Sequence, residues 1–120
     1  MSVSPVIQIV EDDEAVRTAL QFALQAVGFN ASSYFDAKDF LERGQCERGI
    51  LICDVRMPGM NGIELANLLR ERGSNMSIIL TTGNASRALE EEAVSAGVAA
   101  IFEKPVGLAT IFAEIRRLGG

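Results

Sequence analysis

The chain has 120 residues, a formal net charge of -5, 48% hydrophobic and 22% charged residues, two cysteines and no histidine. The length suits one domain spanning 1–120, and the balance of apolar and charged residues lies far from disordered compositions. The acidic balance, without a clustered Lys/Arg stripe, argues against direct nucleic-acid contact by this domain, because such contact depends on neutralising phosphates. Cys46 and Cys53 are too few for a secreted disulfide framework and read as reduced thiols. No basic stretch leads into a long apolar segment at the N-terminus, and no apolar run approaches membrane-spanning length, so the expectation is a cytoplasmic protein without membrane contact.

In chain order, Val6 to Val10 is a short apolar run containing Gln8 and reads as a strand. Acidic residues follow it, then apolar positions Val16, Ala19, Leu20, Ala23, Leu24 and Val27 at helical spacing, with Gly28 placed to close the helix. Asn30 to Tyr34 reads as a weaker strand and Ala37 to Arg43 as a second helix. Gly49 to Cys53, with the core ILIC, is a continuous apolar run of the kind shown by a strand covered on both faces. Asp54 to Asn61 carries Pro58 and Gly59 and reads as loop; Ile63, Leu65, Ala66, Leu68 and Leu69 then resume helical periodicity up to Gly73 and Ser74. Ile78 to Thr81 predicts a fourth strand, Ser86 to Ala96 a fourth helix closed by Gly97, Ala99 to Phe102 a fifth strand and Gly107 to Leu118 a last helix. No linker or helix-turn-helix segment follows, which fits either a free-standing unit or an excised part of a longer protein.

Strands alternating with helices imply parallel pairing through right-handed crossovers, hence a three-layer α/β sandwich. The pattern alone does not give the strand order. In such sheets the functional crevice lies beyond the carboxyl ends of the strands, where the order reverses. The residues at those ends are Glu11, Asp12 and Asp13 after the first strand, Asp54 after the third, Thr82 after the fourth and Lys104 after the fifth. Crowded carboxylates repel, so they call for a cation or a basic side chain to balance them. Oxygen ligands and the lack of histidine favour a hard ion such as Mg²⁺ over zinc. A carboxylate facing a metal and a lysine can attack phosphorus and form an acyl phosphate, with a nearby hydroxyl and ammonium stabilising the phosphoryl oxygens. Asp13 and Glu14 read more simply as a solvated helix start, and Gly59 and Gly62 as loop and helix-start residues without a chemical role. Phe102, Ile111 and Phe112 read as core or a partner-facing patch.

The runs VEDDEAVR (10 to 17), DVRMPGMNGIEL (54 to 65), LTTGNAS (80 to 86) and GVAAIFEKP (97 to 105) together resemble a response regulator receiver domain of bacterial two-component systems, in particular its FixJ-type branch. The resemblance covers essentially the whole chain. It implies a flavodoxin-like (βα)5 sandwich with a five-stranded parallel sheet of order 2-1-3-4-5. It makes Asp54 the phosphoacceptor and Glu11 and Asp12 the acidic pair for Mg²⁺, with Asp54 and the carbonyl of Arg56 as further ligands. Thr82 becomes the hydroxyl that moves toward the phosphoryl group, Lys104 the lysine that pairs with it, and Pro105 the residue after a cis peptide. Arg56 and Asn84 fall where side chains tune the access of water to the acyl phosphate. The implied partners are a sensor histidine kinase and, on phosphorylation, a second copy of the chain, through the fourth helix, fifth strand and fifth helix, about Ser86 to Leu118. Transcription control would then run through a separate domain. Such domains catalyse their own phosphorylation and dephosphorylation and are not enzymes toward other substrates.

The sequence departs from the family at one place: many receivers carry an aromatic three residues before the lysine, whereas here that residue is Ile101 and the aromatic is Phe102. A phosphatase of the haloacid-dehalogenase type would place a second Asp two residues after the nucleophile, where this chain has Arg56. A flavodoxin-like cofactor binder is suggested by TTGNAS, yet flavodoxins carry their phosphate loop after the first strand, where this chain has carboxylates.

Overall fold

The computed structural model describes residues 5–119. Five strands, β1 (Val6–Val10), β2 (Asn30–Tyr34), β3 (Ile50–Asp54), β4 (Ser77–Thr82) and β5 (Ala100–Glu103), alternate with five helices, α1 (Glu14–Ala26), α2 (Ala37–Arg43), α3 (Gly62–Glu71), α4 (Arg87–Ser95) and α5 (Leu108–Gly119). All strand pairs are parallel and the sheet order is β2-β1-β3-β4-β5, as the resemblance implies. β3 and β5 each lie one residue later than the sequence suggests, and β4 extends one residue further at each end. Gly49 has φ +102°, outside extended geometry, while Asp54 still pairs with Thr81 and Glu103 with Thr82. Asp54 and Thr82 therefore sit on strand ends and not in the loops beyond them.

Alternation along each strand builds two cores. Ile7 and Ile9 of β1, Ile50 and Ile52 of β3 and Ile79 of β4 pack with Leu24 of α1 and with Ile111 and Ile115 of α5. On the opposite face Val10, Leu51, Cys53, Ile78 and Leu80 pack with Phe40 of α2, with Ile63, Leu65 and Leu69 of α3 and with Ala93 of α4. Phe102 and Phe112 join the α1/α5 core, partly buried, and Phe112 lies beside Phe29 with ring centroids 6.5 Å apart. Side-chain caps start the helices: Asp13, Asp36 and Ser86 each accept an amide hydrogen bond, and Asn61 with Glu64 forms a reciprocal capping box. Gly62 lets α3 come close to the end of β3, because a Cβ there would stand 2.8 Å from the Asp54 carbonyl.

The one polar side chain inside β1, Gln8, is 1% exposed and fully engaged. Its amide nitrogen donates to the Gln45 carbonyl at 2.6 Å, and its oxygen accepts from the Gln45 amide at 2.8 Å and the Tyr34 hydroxyl at 3.1 Å. These bonds tie β1 to β2 and to the segment entering β3. Gln8→Ala strands the buried Tyr34 hydroxyl and removes two part-buried bonds to the Gln45 backbone, and is expected to cost about 2–4 kcal/mol, since an unmet buried group costs on the order of 1–3 kcal/mol. Urea unfolding midpoints of the two proteins measure the loss.

Candidate functional site

The sheet order reverses between β1 and β3, so Glu11 and Asp54 project beside each other from the carboxyl edge of neighbouring strands. Both are buried, at 5% and 8% exposure. Two carboxylates so placed require compensation, and Lys104, just past β5, supplies it. Its Nζ donates to Asp54 Oδ2 at 2.7 Å and to Glu11 Oε1 at 3.2 Å. The remaining oxygens meet backbone donors: the Arg56 amide donates to Asp54 Oδ1 and the Asp13 amide to Glu11 Oε2, each at 3.2 Å. Asp12 completes the group, with one carboxylate oxygen from each of Glu11, Asp12 and Asp54 lying within 4.8 Å of one another.

The electrostatics follow from this geometry. Burial raises the Glu11 pKa above the usual carboxylate value and the charge of Asp54 adds to it, against the lowering effect of the Asp13 amide and Lys104. Burial acts to lower the pKa of Lys104, but its hydrogen bonds to Asp54 and Glu11 outweigh this and hold it above the ordinary lysine value. An oxygen-only cluster of three carboxylates, in a chain without histidine, has the donor chemistry of a Mg²⁺ site.

Asp13, by contrast, spends its side chain on the α1 cap, accepting from the Val16 amide at 3.1 Å, as the simpler reading of that residue has it. Arg56 follows Asp54 in the loop, its side chain exposed. Thr82 is 2% exposed, and its hydroxyl accepts from the Asn84 amide at 3.2 Å. The Lys104–Pro105 peptide is cis. Ile101 packs into the core beneath α2, α3 and α4, the face that alternation also gives Thr82, whereas Phe102 packs on the α1/α5 face. The aromatic thus lies on the other side of the sheet from the residue at the family's aromatic position. Both cysteines are free thiols, and burial pushes that of Cys53 far up.

Three contributors escape sequence reasoning. The Arg17 guanidinium donates to the Glu11 carbonyl at 2.8 Å, bracing the acidic turn from the first turns of α1. The Arg56 amide acts through its backbone, which side-chain patterns do not encode. Thr81, not Thr82, pairs with Asp54 and lines the cavity next to Lys104. Adjacent threonines can be told apart only by register.

Comparison with known proteins bears on the family and the fold. A family model described as response regulator receiver domain matches residues 7–116. The chain is 39% identical over 111 residues to the transcriptional regulatory protein FixJ of Azorhizobium caulinodans, covering 92% of this chain and 53% of that protein. It is 36% identical over 112 residues to the response regulator protein TmoT of Ectopseudomonas mendocina, covering 92% and 51%. The chain thus spans about half the length of the curated relatives it matches. Among solved structures, FixJ-N superposes with a TM-score of 0.85 at 32% identity, covering 98% of this chain and 94% of that one. The chemotaxis protein CheY4 of Vibrio cholerae shares the fold with a TM-score of 0.87 at 24% identity, covering 96% and 98%.

Removing the ammonium with Lys104→Met leaves Glu11 and Asp54 facing each other uncompensated. Because Lys104 is partly exposed, the expected loss is about 1–3 kcal/mol at pH 7, below that for a fully buried pair. With Lys104 gone, the Glu11 pKa rises further, so the folded state binds more protons than the unfolded state just above pH 4.5, and the variant's deficit shrinks as pH falls into that range. Urea unfolding of both proteins at pH 7 and pH 4.5 checks the sign, and added Mg²⁺ at pH 7 is expected to restore part of the loss.

Proposed function

This chain belongs to the response regulator receiver domain family, and from that premise we propose that residues 1–120 form one phosphoacceptor domain in which Asp54 receives a phosphoryl group from a sensor histidine kinase. The observation that carries the reading is the setting of Asp54: a buried carboxylate at the point where the strand order reverses, held between Lys104 and the Arg56 amide, with Glu11 and Asp12 alongside. An Asp54 oxygen attacks phosphorus, and as the new O–P bond forms, the P–N bond to the partner's imidazole breaks and its electron pair leaves with the nitrogen. Glu11, Asp12, Asp54 and the Arg56 carbonyl hold Mg²⁺, which when bound offsets the negative charge shared by carboxylates and phosphoryl oxygens. Lys104 provides a fixed cation at the oxygens of the transferring group, at an edge where it is already held in place and needs little reorganisation.

Thr82 supplies the switch. Its hydroxyl accepts from Asn84, at the start of the loop leading to α4. Turning toward a phosphoryl group exchanges that bond for one to a phosphoryl oxygen and shifts the loop with it, moving a pre-existing equilibrium. The responding face is α4-β5-α5. Exposed Glu90, Glu91 and Glu92 with Val94 on α4, and exposed Arg116 on α5, give its two helices opposite charge, which supports pairing with a second copy. The domain catalyses its own phosphorylation and the slow hydrolysis of the acyl phosphate, with Arg56 and Asn84 tuning the access of water. It works in the cytoplasm and controls transcription through a separate domain, without nucleic-acid or membrane contact of its own. No described helix is long and apolar enough to cross a membrane.

Incubation with acetyl phosphate and Mg²⁺ is expected to add one phosphoryl group by intact mass, and none without Mg²⁺ or in Asp54→Asn; undiminished labelling of that variant refutes the assignment. Thr82→Ala is expected to retain labelling but to lose the dimer that sedimentation detects in the phosphorylated wild type. Equal dimerisation of the two would remove Thr82 from the switch.

A further inference from the structure

Sheet register places a second polar side chain next to Thr82. Glu103, the last residue of β5, is the parallel partner of Thr82 on β4, and alternation from Ile101 turns both toward the face that carries α4. The two hold consecutive amides of the loop that enters α4. The Thr82 hydroxyl accepts from the Asn84 amide at 3.2 Å, and Glu103 Oε2 accepts from the Ala85 amide at 3.4 Å. Ser86 then caps α4, so the hold of Glu103 lies one residue ahead of the cap.

The helix beyond is lightly seated. Ala93 is the one buried residue of Arg87–Ser95, and Glu90, Glu91 and Glu92 are exposed. Its last turn carries no basic residue. Instead the Arg70 guanidinium of α3 lies against Gly97, where any side chain would overlap it, and brings a cation to the negative end of the helix. With so little apolar burial, the polar contacts at its two ends weigh more heavily in where α4 rests.

We propose that Glu103 is a positioning residue of the switch, whose carboxylate favours the resting arrangement of the loop by holding the Ala85 amide. When Thr82 turns toward a phosphoryl oxygen it releases Asn84, and the loop shifts only as Glu103 releases Ala85 as well. The carboxylate therefore sets how much of the protein occupies the responding arrangement before any phosphoryl group arrives. Arg70 keeps the far end of α4 in place, so the displacement is largest at the entry. This role rests on the reading of Thr82 and of the α4-β5-α5 face given above; the bond from Ala85 to Glu103 does not.

Amide hydrogen exchange by NMR and sedimentation, on unphosphorylated wild type, Glu103→Ala and Glu103→Gln, test the proposal. Glu103→Ala is expected to speed exchange at Ala85 and to strengthen self-association without phosphate about two- to fivefold, the worth of one exposed hydrogen bond. Glu103→Gln loses the same charge but keeps an acceptor, and is expected to stay near wild type in both measurements. Equal gains in association for the two variants would trace the effect to charge on the dimer face and overturn the proposal. Exchange at Ala85 that Glu103→Ala leaves unchanged also overturns it, as does faster exchange without a gain in association. Wild type labelled with acetyl phosphate is the reference: if it takes the label and stays monomeric, the reading of the output face fails, whereas exchange at Ala85 still reports on Glu103.

Discussion

Glu11 and Asp54 are both more than nine-tenths buried at neighbouring strand ends, and like charges in that setting repel strongly unless a cation lies between them. Lys104 meets that requirement from β5, two strands away from β3 in the sheet. Strand order and the bracing of the acidic turn by Arg17 both bear on whether these three side chains can meet. The ammonium also sets what the site can accept. With Asp12 alongside, three carboxylates face one lysine, and the remaining negative charge favours a divalent cation.

The two faces of the sheet divide the work. Asp54, Thr81 and Phe102 share the α1/α5 face by register and alternation, while Thr82 and Ile101 lie on the side of α2, α3 and α4. The residues that hold charge at the sheet edge and the pair Thr82 and Ile101 thus stand back to back. Gly62 contributes by bringing the start of α3 against the Asp54 carbonyl, a distance no side chain would allow. The loop carrying Arg56 is closed by the bond from the Gly62 amide to the Val55 carbonyl at 2.8 Å, which helps fix where the Arg56 amide points.

Much of this was legible from local pattern. The run ILIC marks a strand covered on both faces, and β2 and α2 fall on the residues that periodicity assigns. Asp13 as a helix cap follows from its place before an apolar helical repeat. Strand ends were less legible: Asp54 and Thr82 read as loop residues because polar side chains end an apolar run, yet ladder hydrogen bonding carries the strands through them. Gln8, conspicuous in an apolar strand, gave no hint of its partners, because Gln45 lies 37 residues away.

The sequence by itself determined the alternation of strands and helices, the parallel sheet and the set of polar residues at its carboxyl edge, because hydrophobic period and turn chemistry are local properties of the chain. Resemblance to a family added the strand order and a role for each site residue. Only the tertiary structure decided that Lys104 bridges Glu11 and Asp54, that Arg17 and the Arg56 amide brace the site through the backbone, and that Thr81 rather than Thr82 shares the face of Asp54. These are matters of register and of contact between distant segments, and register depends on how whole strands pack, which no single stretch of residues encodes.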